Sequence, residues 1–499
     1  MSSHHEVERT YTPVDPTEEV ELPDLVGVGE VTARGHAETV ELEAVYVDTV
    51  DLRLTRAGIS LRRRTGGADE GWHLKVPAGS GRDELHRPLG RPSSPPPKPL
   101  RDAVLAWTAG QDLEPVATIH TRRTAYDLVA ADGRVLAEVA EDETRSVRDG
   151  TVLEWREVEV ELVDGDEELL DLVEERLRDA GLRPAAVGRK IERALADVLP
   201  EVERPRKVRR AKPASRVLHA RLVDQLEELR RCESEVRRSV PDAVHRTRVA
   251  ARRLRSALRS HGALLEGDVA ERLQHDLQRL VRTLGPERDT EVAGQRLAEL
   301  LDTVEADLVV GPVRRRVRTE LAARMREHRA ATRAELASPA HLALLTDLDR
   351  LVADPPWAPA AGRRADAVLP RQLAKDAKRL AARLGAAEDE ESLHRARSAA
   401  KRLRYAAETL EPAFGSDAAR VARTAKELQQ PLGVLQDTRL TRALLLEVAA
   451  AATAAGESSF TYGRLHAAEE LAAAIAREEA EARWRRASKR RKGRALRLG

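Results

Sequence analysis

The stretch HRARSAAKRLRY, residues 394–405, places a histidine and three cations along one stripe of a predicted helix. At 3.6 residues per turn, one face carries four side chains, which are His394, Arg397, Lys401 and Arg404. Leu403 and the alanines lie on another side, where they can pack against a neighbour. Like charges one turn apart repel each other by roughly a few tenths of a kcal/mol per pair. The pattern therefore predicts an anionic partner along this stripe.

The same pattern occurs earlier in the chain, which indicates an internal duplication. HRTRVAARRLRSA (245–257) matches HRARSAAKRLRYA (394–406) at nine of thirteen positions. A second matching pair, LGPERDTEV (284–292) and LGVLQDTRL (432–440), follows each copy at nearly the same offset, as expected of a repeat. Two similar helical halves are predicted to present cations to a shared partner. The stripe of the first copy consists of His245, Arg248, Arg252, Arg255 and Arg259.

Charge divides the 499 residues into two parts, although the whole chain has a net charge of only +1. Residues 1–200 contain 25 Lys+Arg and 41 Asp+Glu, a balance of −16, and the remainder has a balance of +17. The single cysteine, Cys232, excludes a disulfide framework and is expected to be a packed residue. No apolar stretch resembles a signal peptide or a membrane span, so we expect a cytoplasmic protein.

Residues 1–200 show mainly strand patterns, and residues from 216 onward show mainly helical periodicity. The stretch 167–181 is the clearest predicted helix of the first part, and a proline-rich connection occupies 91–100. We predict the following divisions: a strand-rich domain (1–200), a basic linker containing prolines (201–215), a helical domain (216–480) with repeats at about 216–352 and 366–480, and a basic tail (481–499).

Alternation along the strands separates charged from apolar faces in the first part. In WREVEVELV (155–163), Glu157, Glu159 and Glu161 share one face and the valines share the other. Arg62 and Arg64 share a face in the same way. A sheet with one solvated face would show similar alternation. Several charged strands in one domain instead favour a water-filled barrel, whose carboxylates would bind hard divalent ions and whose cations would hold phosphoryl oxygens.

The strand-rich part resembles a CYTH domain, of the triphosphate-tunnel metalloenzyme family. The resemblance rests on EVER, YVDTVDLRLTRAGISLRRRTGG, GWHLKVP, GRDELHRPLG, LAEVAED, WREVEVEL and GRKIERAL, within residues 5–195. The helical part resembles a CHAD domain through its two HRxR repeats and the LG…D segments. The resemblances imply an α+β protein of two domains: an eight-stranded antiparallel β-tunnel followed by an all-α duplicated helical bundle.

The CYTH resemblance also implies metal-dependent hydrolysis of inorganic triphosphate or a related triphosphate, with Mg²⁺ or Mn²⁺ as the cofactor. Glu138 and Asp142 are weaker members of the implied site. The implied metal ligands are Glu6, Glu8, Glu157 and Glu159. The implied triphosphate-binding residues are Arg62, Arg64, Lys75, Arg123 and Lys190. The implied catalytic residues are Glu157, Glu159 and Lys75.

The CHAD resemblance implies that the helical part binds inorganic polyphosphate, which extends the expected location to polyphosphate granules. Asp289 and Asp437 are expected to cap helices or to orient cations. The implied polyphosphate-binding residues are His245, Arg248, Arg252, Arg255, His394, Arg397, Lys401 and Arg404.

Thr10 leaves alternatives open, because the opening motif of the family ends in a cation at this position. Arg9 is predicted to point to the opposite face and cannot simply replace that cation. The tunnel could therefore bind phosphates without catalysis in a polyphosphate-binding protein, and an adenylate cyclase of the class IV type is a further alternative. Nucleic-acid binding is disfavoured, because aromatic residues make up only 2% of the chain and no base-reading motif occurs.

Overall fold

In the computed structural model the chain divides into two compact units, residues 1–203 and 204–499. The structure describes residues 2–14, 21–79, 81–91, 95–148, 150–186, 188–199 and 208–489. Three predicted segments therefore lie partly outside the described residues. They are the proline-rich connection at 92–94, the linker at 201–207 and the tail at 490–499.

The described residues of the first unit form one antiparallel sheet and four helices. The strands are β1 (Ser2–Glu6), β2 (Glu8–Pro13), β3 (Val31–Arg34), β4 (Glu38–Asp48), β5 (Ser60–Thr65), β6 (Gly71–Ala78), β7 (Gly81–Arg87), β8 (Glu114–Ala130), β9 (Val135–Arg148), β10 (Thr151–Leu162) and β11 (Leu182–Pro184). The helices are α1 (Arg53–Arg56), α2 (Lys98–Thr108), α3 (Glu167–Asp179) and α4 (Lys190–Ala194).

The sheet closes on itself through the opening strands. Its order is β1-β7-β6-β5-β4-β8-β9-β10-β2-β11, with β3 paired to β8. β1 and β2 are separated only by Val7, yet they stand near opposite ends of this order, because β1 pairs with β7 and β2 pairs with β10. One nearly continuous stretch thus joins the two sides of the sheet and makes it a tunnel.

The predicted antiparallel tunnel is confirmed, but the expected count of eight strands is wrong, since the sheet has eleven. The interruption at Val7 divides the opening strand into β1 and β2. Two short additions, β3 and β11, pair at the edges of longer strands. When β1 and β2 are counted as one strand and these two additions are set aside, eight strands remain.

Apolar side chains from one face of the strands pack beneath α3 on the outside of the tunnel. Val158 and Val160 of β10 lie in one buried cluster with Leu170 and Val173 of α3. The Asp166 side chain caps α3 by accepting a hydrogen bond from the Leu169 N–H at 3.0 Å. Because the outer faces are covered, the charged faces of these strands point inward.

The second unit is entirely helical within the described residues. Its helices are α5 (Ala214–Arg237), α6 (Ala243–His261), α7 (Val269–Thr283), α8 (Gly285–Thr303), α9 (Val313–Leu336), α10 (Pro339–Ala353), α11 (Ala365–Gly385), α12 (Glu390–Phe414), α13 (Ser416–Ala454) and α14 (Phe460–Lys489), with short 3₁₀ turns at Gly262–Leu264, Ala306–Leu308 and Pro359–Gly362. α14 continues to Lys489, so residues 481–489 are helical.

The two sequence repeats fall on two sets of helices. The two basic stripes lie on α6 and α12, and α13 spans the region that the break at Leu284 divides into α7 and α8. One buried cluster joins the two sets, with Leu297 of α8 and Val313 of α9 against Val448 of α13 and Leu465 of α14. Among the described helices, none has a run of apolar residues long enough to cross a bilayer.

Candidate active site and polyanion site

The tunnel encloses a cavity of about 300 Å³ whose wall is almost entirely charged. The wall carries seven carboxylates and seven cations, so its charges balance. The carboxylates are those of Glu6, Glu8, Asp69, Glu84, Glu138, Glu159 and Glu161, and the cations are those of Arg62, Arg64, Lys75, Arg82, Arg123, Arg189 and Lys190.

Three carboxylates form a row across adjacent strands on one side of the cavity. Glu161 of β10 stands directly opposite Glu8 of β2 and Glu138 of β9. Like charges in this arrangement destabilise a sheet. Burial raises the pKa of Glu161 to about 7 against the effect of Lys75, and Glu8 and Glu138 add to the rise. The three positions of the row thus contain no cation, and positive charge must come from other strands.

Glu6 and Glu8 are held by cations from the next strands. Lys75 Nζ lies 2.6 Å from Glu6 Oε2 and 3.6 Å from Glu8 Oε2, and Arg82 Nη1 donates to Glu8 Oε1 at 2.8 Å. Burial and a hydrogen bond shared with Glu84 raise the pKa of Glu6 to about 8. Against the effect of burial, hydrogen bonds from His73 and Glu6 lower the pKa of Glu84. The pKa values of this pair therefore differ, with a proton favoured on the buried Glu6 and a negative charge favoured on the half-buried Glu84.

A second carboxylate group surrounds Lys190, at the beginning of α4. Lys190 Nζ lies 2.8 Å from Asp142 Oδ2, 2.6 Å from Glu157 Oε1 and 2.5 Å from Glu159 Oε1. Oxygens of the three acids lie within 4.8 Å of one another, a separation that suits metal ligands. The guanidinium of Arg123 also contacts Asp142 and Glu159. The ammonium of Lys190 therefore supplies positive charge at the centre of this group.

Arg62 and Arg64 project from β5 on the side of the cavity formed by β4–β6. Arg62 Nη1 donates to the Tyr46 hydroxyl at 3.1 Å, and Arg64 contacts Asp69 in the turn before β6. Burial, followed by the charges of Arg62 and Arg123, lowers the pKa of Arg64 to about 9. Cations held close together in this way are suited to an anion that spans several of them.

The structure brings the predicted tunnel residues together, but Glu157 lies deeper than the others, behind the cavity wall. Glu157 is 3% exposed, and its Oε2 accepts a hydrogen bond from the Trp155 indole at 2.9 Å. Glu159 reaches the cavity wall, whereas Glu157 is held between Trp155 and Lys190.

Sequence reasoning missed Arg82 and Glu84, which line the cavity from β7. Both lie within GRDELHR, where alternation places them on the same face, so the signal was present. Arg189 and Tyr46 were also missed, because they reach the wall from a helix start and from the end of a mostly apolar strand.

Thr10 and Arg9 diverge as the alternation predicts. Thr10 Oγ1 lies 3.4 Å from the carbonyl oxygen of Gly188, a residue of the cavity wall. Arg9 points outward and donates to Asp171 Oδ1 of α3 at 2.6 Å and to Glu174 Oε2 at 3.1 Å. Arg9 therefore contributes no charge to the cavity.

In the helical unit, the stripes of α6 and α12 bring four cations within electrostatic reach of one another. Burial and then the charges of Arg397, Arg252 and Arg248 lower the pKa of Lys401 to about 6. Arg252, Arg397 and Lys401 form no ion pair with a carboxylate among the described residues. The four members of this group, here named the central cluster, are Arg248, Arg252, Arg397 and Lys401.

Of the two roles expected for the aspartates beside the central cluster, capping does not apply, because Asp289 lies in the second turn of α8 and Asp437 lies within α13. Asp289 of α8 lies 3.4 Å from Arg248 Nη1, which also donates to the Gly285 carbonyl at 3.1 Å. Burial raises the pKa of Asp437 in α13 against the effect of Arg397. Asp289 therefore orients one of the cations.

The other predicted polyanion-binding residues flank the central cluster along the two stripes. Burial and then Arg288 lower the pKa of His245 to about 4, so the imidazole is neutral at physiological pH. His394 Nδ1 lies 2.9 Å from Gln436 Oε1. Arg255 Nη2 donates to Gln278 Oε1 at 2.9 Å, whereas Arg404 Nε donates to Glu408 Oε1 at 2.7 Å.

Comparison with known families gives one match for each unit. Residues 5–189 match the CYTH domain, and residues 220–446 match the CHAD domain. Two uncharacterized proteins of Mycobacterium tuberculosis, MT2285 of strain CDC 1551 / Oshkosh and Rv2226 of strain H37Rv, are each 36% identical over 509 residues. The alignment covers 97% of this chain and 97% of each relative.

Solved structures resemble parts of the chain. PptA from Streptomyces chartreusis is 20% identical, with a TM-score of 0.48. The match covers 55% of this chain and 100% of PptA. The CHAD domain from Ricinus communis is 26% identical, with a TM-score of 0.47, over 58% of this chain and 97% of that one. HpAC1 from Hippeastrum, a proposed adenylyl cyclase with a dominant triphosphatase activity, is 14% identical, with a TM-score of 0.23, over 40% of this chain and 99% of that one.

Proposed function

Because the chain belongs to the family of proteins that join a CYTH domain to a CHAD domain, we propose that it couples two activities. The tunnel hydrolyses inorganic triphosphate or a related triphosphate, and the helical unit binds inorganic polyphosphate. CYTH domains bind triphosphates and depend on metal ions, and CHAD domains bind polyphosphate. The identities of the triphosphate and of the metal ion are parts of this proposal.

The observation that carries the tunnel proposal is the balanced wall of seven carboxylates and seven cations. A triphosphate is a multiply charged anion, and carboxylates among the cations of the wall oppose its binding. Divalent ions on the carboxylates would leave the cations free for phosphoryl oxygens. The raised pKa values of Glu6 and Glu161 support this assignment, since burial disfavours the charge of both acids and neighbouring carboxyl groups add to the rise.

The chain's own residues divide the work between holding metal and holding phosphate. Glu6, Glu8 and Glu159 would bind Mg²⁺ or Mn²⁺, with Glu157 and Asp142 beside them. Such an ion, when bound, offsets phosphoryl charge and lowers the pKa of a water ligand. Arg62, Arg64 and Arg123 would grip the substrate oxygens together with Lys75 and Lys190. Preorganised cations of this kind stabilise charge that moves onto the phosphoryl oxygens during the reaction.

The test is phosphate release from inorganic triphosphate with Mg²⁺ or Mn²⁺, by the wild type and by Glu6→Gln. Glu6→Gln keeps the shape of the side chain and removes its charge, so we expect a loss of at least about a hundredfold in kcat, as for other groups that stabilise charge directly. Glu154→Gln, on the exposed outer face of β10, is the matched control and should retain the wild-type rate. Metal-independent release, or equal rates in both variants, would contradict the proposal.

Thr10 favours a second candidate, a tunnel that binds triphosphate without hydrolysing it. The cavity has one cation fewer than the family motif provides at this position. In that case the wild type would release no phosphate with either metal, while calorimetry would still detect metal-dependent triphosphate binding that Glu6→Gln abolishes.

The polyphosphate proposal rests on the central cluster, whose cations converge from two helices. Binding of long-chain polyphosphate to the full chain should weaken steeply as salt rises, because the polyanion releases counterions. Arg252→Ala with Lys401→Ala should abolish most of the affinity, whereas Arg350→Ala, an exposed residue of α10, should not change it. An unchanged affinity in the double variant would contradict this assignment.

A further inference from the structure

The two copies of the basic stripe are not equivalent beyond the central cluster. Arg255 of the first copy corresponds to Arg404 of the second, and one turn further along, Arg259 corresponds to Glu408. The next helix shows the same change, since Arg282 of α7 corresponds to Gln430 of α13. The sequence duplication has thus kept the cations on one side and lost two of them on the other.

At one neighbouring pair of aligned positions the second copy has the additional positive charge, but this does not reverse the difference in charge between the copies. Gln278 of α7 corresponds to Lys426 of α13. Over the four aligned positions, the first copy has three arginines and one glutamine, a charge of +3, and the second has one arginine, one lysine, one glutamate and one glutamine, a charge of +1. The excess of positive charge therefore lies on the first copy.

The three arginines of the first copy lie in one electrostatic neighbourhood, formed by α6 and α7. Arg255 is bound to α7 through Gln278, one turn before Arg282. Burial and then the charges of Arg259 and Arg282 lower the pKa of the Arg255 guanidinium. Arg259 and Arg282 are exposed, and neither forms an ion pair with a carboxylate in the described part of the chain. These three residues, Arg255, Arg259 and Arg282, are here named the side track.

At the equivalent position of the second copy, a carboxylate engages the neighbouring cations. Glu408 Oε1 accepts the hydrogen bond from Arg404, and Glu408 Oε2 lies 3.2 Å from Arg253 Nε and 3.7 Å from Arg221 Nη2. An anion approaching this end meets a carboxylate that already holds three guanidinium groups. Glu408 competes with a polyphosphate chain for Arg404, whereas no carboxylate competes for Arg259 or Arg282 among the described residues.

We propose that a polyphosphate chain leaves the central cluster over the first repeat, along Arg255, Arg259 and Arg282, so that this side track adds affinity for long chains only. Arg259 lies seven residues beyond Arg252, which is about 10 Å along a helix. A short chain can occupy the central cluster without reaching that far. The inference rests on the proposed polyphosphate binding and adds to it a direction, since the two ends of the site differ.

The test compares short-chain and long-chain fractions of polyphosphate binding to the full chain. All variants carry Glu6→Gln, and EDTA is present, so that the tunnel neither hydrolyses nor holds the probe through metal. Arg259→Gln with Arg282→Gln should weaken long-chain binding about tenfold and make the salt dependence of log Kd shallower by about two, with little change for the short chain. Arg314→Gln with Arg350→Gln removes the same charge from exposed, paired positions and is the control.

A second comparison tests the asymmetry itself. Arg255→Gln should weaken long-chain binding more than Arg404→Gln does, because only Arg255 belongs to the side track. Equal losses from Arg255→Gln and Arg404→Gln would overturn the inference, as would a side-track variant that binds long chains like its parent or loses affinity equally for both lengths. Failure of the proposed function would look different, since Arg252→Ala with Lys401→Ala would then bind both fractions as well as the wild type.

Discussion

At the scale of single residues, burial and then the neighbouring charges determine which groups are ionised before any ligand binds. Lys401 is surrounded by Arg397, Arg252 and Arg248, and burial leaves its ammonium poorly solvated. Glu6 is in the opposite situation, since burial and a hydrogen bond with Glu84 raise the pKa of its carboxyl group to about 8. In both sites the protein holds groups whose charge a ligand of the right sign would restore.

Polyphosphate affinity should therefore depend on pH through Lys401, whose pKa in the free protein is about 6. Negative charge in the complex raises this pKa, so above pH 6 binding takes up as much as one proton. Affinity should accordingly weaken by up to about tenfold per pH unit as the pH rises from 6.5 to 8. Below pH 6, the titration of Lys401 should no longer change the affinity. Titrations at fixed ionic strength measure this slope.

Lys401→Arg provides the control, because a guanidinium stays charged throughout this range. The variant should bind with a nearly flat pH profile between 6.5 and 8. A slope as steep as that of the wild type would assign the proton uptake to another group, such as His245 or Asp437.

Thr10→Lys should improve substrate binding in the tunnel. The new ammonium would point to the same face as Glu6 and Glu8, beside Gly188 of the cavity wall. A hydrogen bond between charged groups contributes about 1.5–3 kcal/mol, so KM for inorganic triphosphate should fall about tenfold or more. Steady-state kinetics with Mn²⁺ measure the change, and Thr151→Lys, exposed at the start of β10, adds the same charge as a control. An unchanged KM would mean that the missing cation is not needed at this position.

At the scale of elements, strand alternation and helical periodicity predicted most of what the structure contains. The inward face of Glu157, Glu159 and Glu161 and the outward direction of Arg9 both follow from a period of two. Pairing between distant strands does not follow from it. The row of Glu8, Glu161 and Glu138, for example, exists only because β2 and β9 both flank β10. Lys190 lies among three carboxylates because α4 begins there, which no local pattern encodes.

The N-cap of α3 is an element whose contribution can be measured. Asp166→Ala removes the hydrogen bond to the Leu169 N–H, and we expect the free energy of unfolding of the first unit to fall by about 1 kcal/mol. Urea denaturation followed by circular dichroism is the measurement. Asp166→Asn retains a good capping side chain and should be nearly neutral, so an equal loss in both variants would indicate another role for the carboxylate.

At the scale of the whole molecule, each unit has its own buried core. The first unit has one cluster under α3 and another that includes Trp155 and Ile191, whereas the helical unit joins its two repeats through α8, α9, α13 and α14. The opposite charge balances of the two parts match this division: under the proposed function, the acidic part would supply carboxylates for metal and the basic part would supply cations for a polyanion.

Residues 1–203 and 204–499 should therefore fold as separate fragments. We expect each fragment to unfold cooperatively, the first to release phosphate from inorganic triphosphate and the second to bind long-chain polyphosphate with the affinity of the full chain. Denaturation curves and the two assays on the purified fragments test this. A fragment without a cooperative transition would show that the division at residue 203 does not separate independent folding units.

Closure of the tunnel by β1 and β2 has a consequence for biosynthesis. These strands leave the ribosome before both of their partners, since Tyr11 pairs with Val158 and Ser3 with Leu85. The seam can form only after β10 has emerged, and joining such distant segments requires the chain to lose much conformational freedom in one step. Folding of the tunnel should therefore be slow for its size. Until the seam forms, the charges of the opening strand help to prevent the nascent chain from pairing with other molecules.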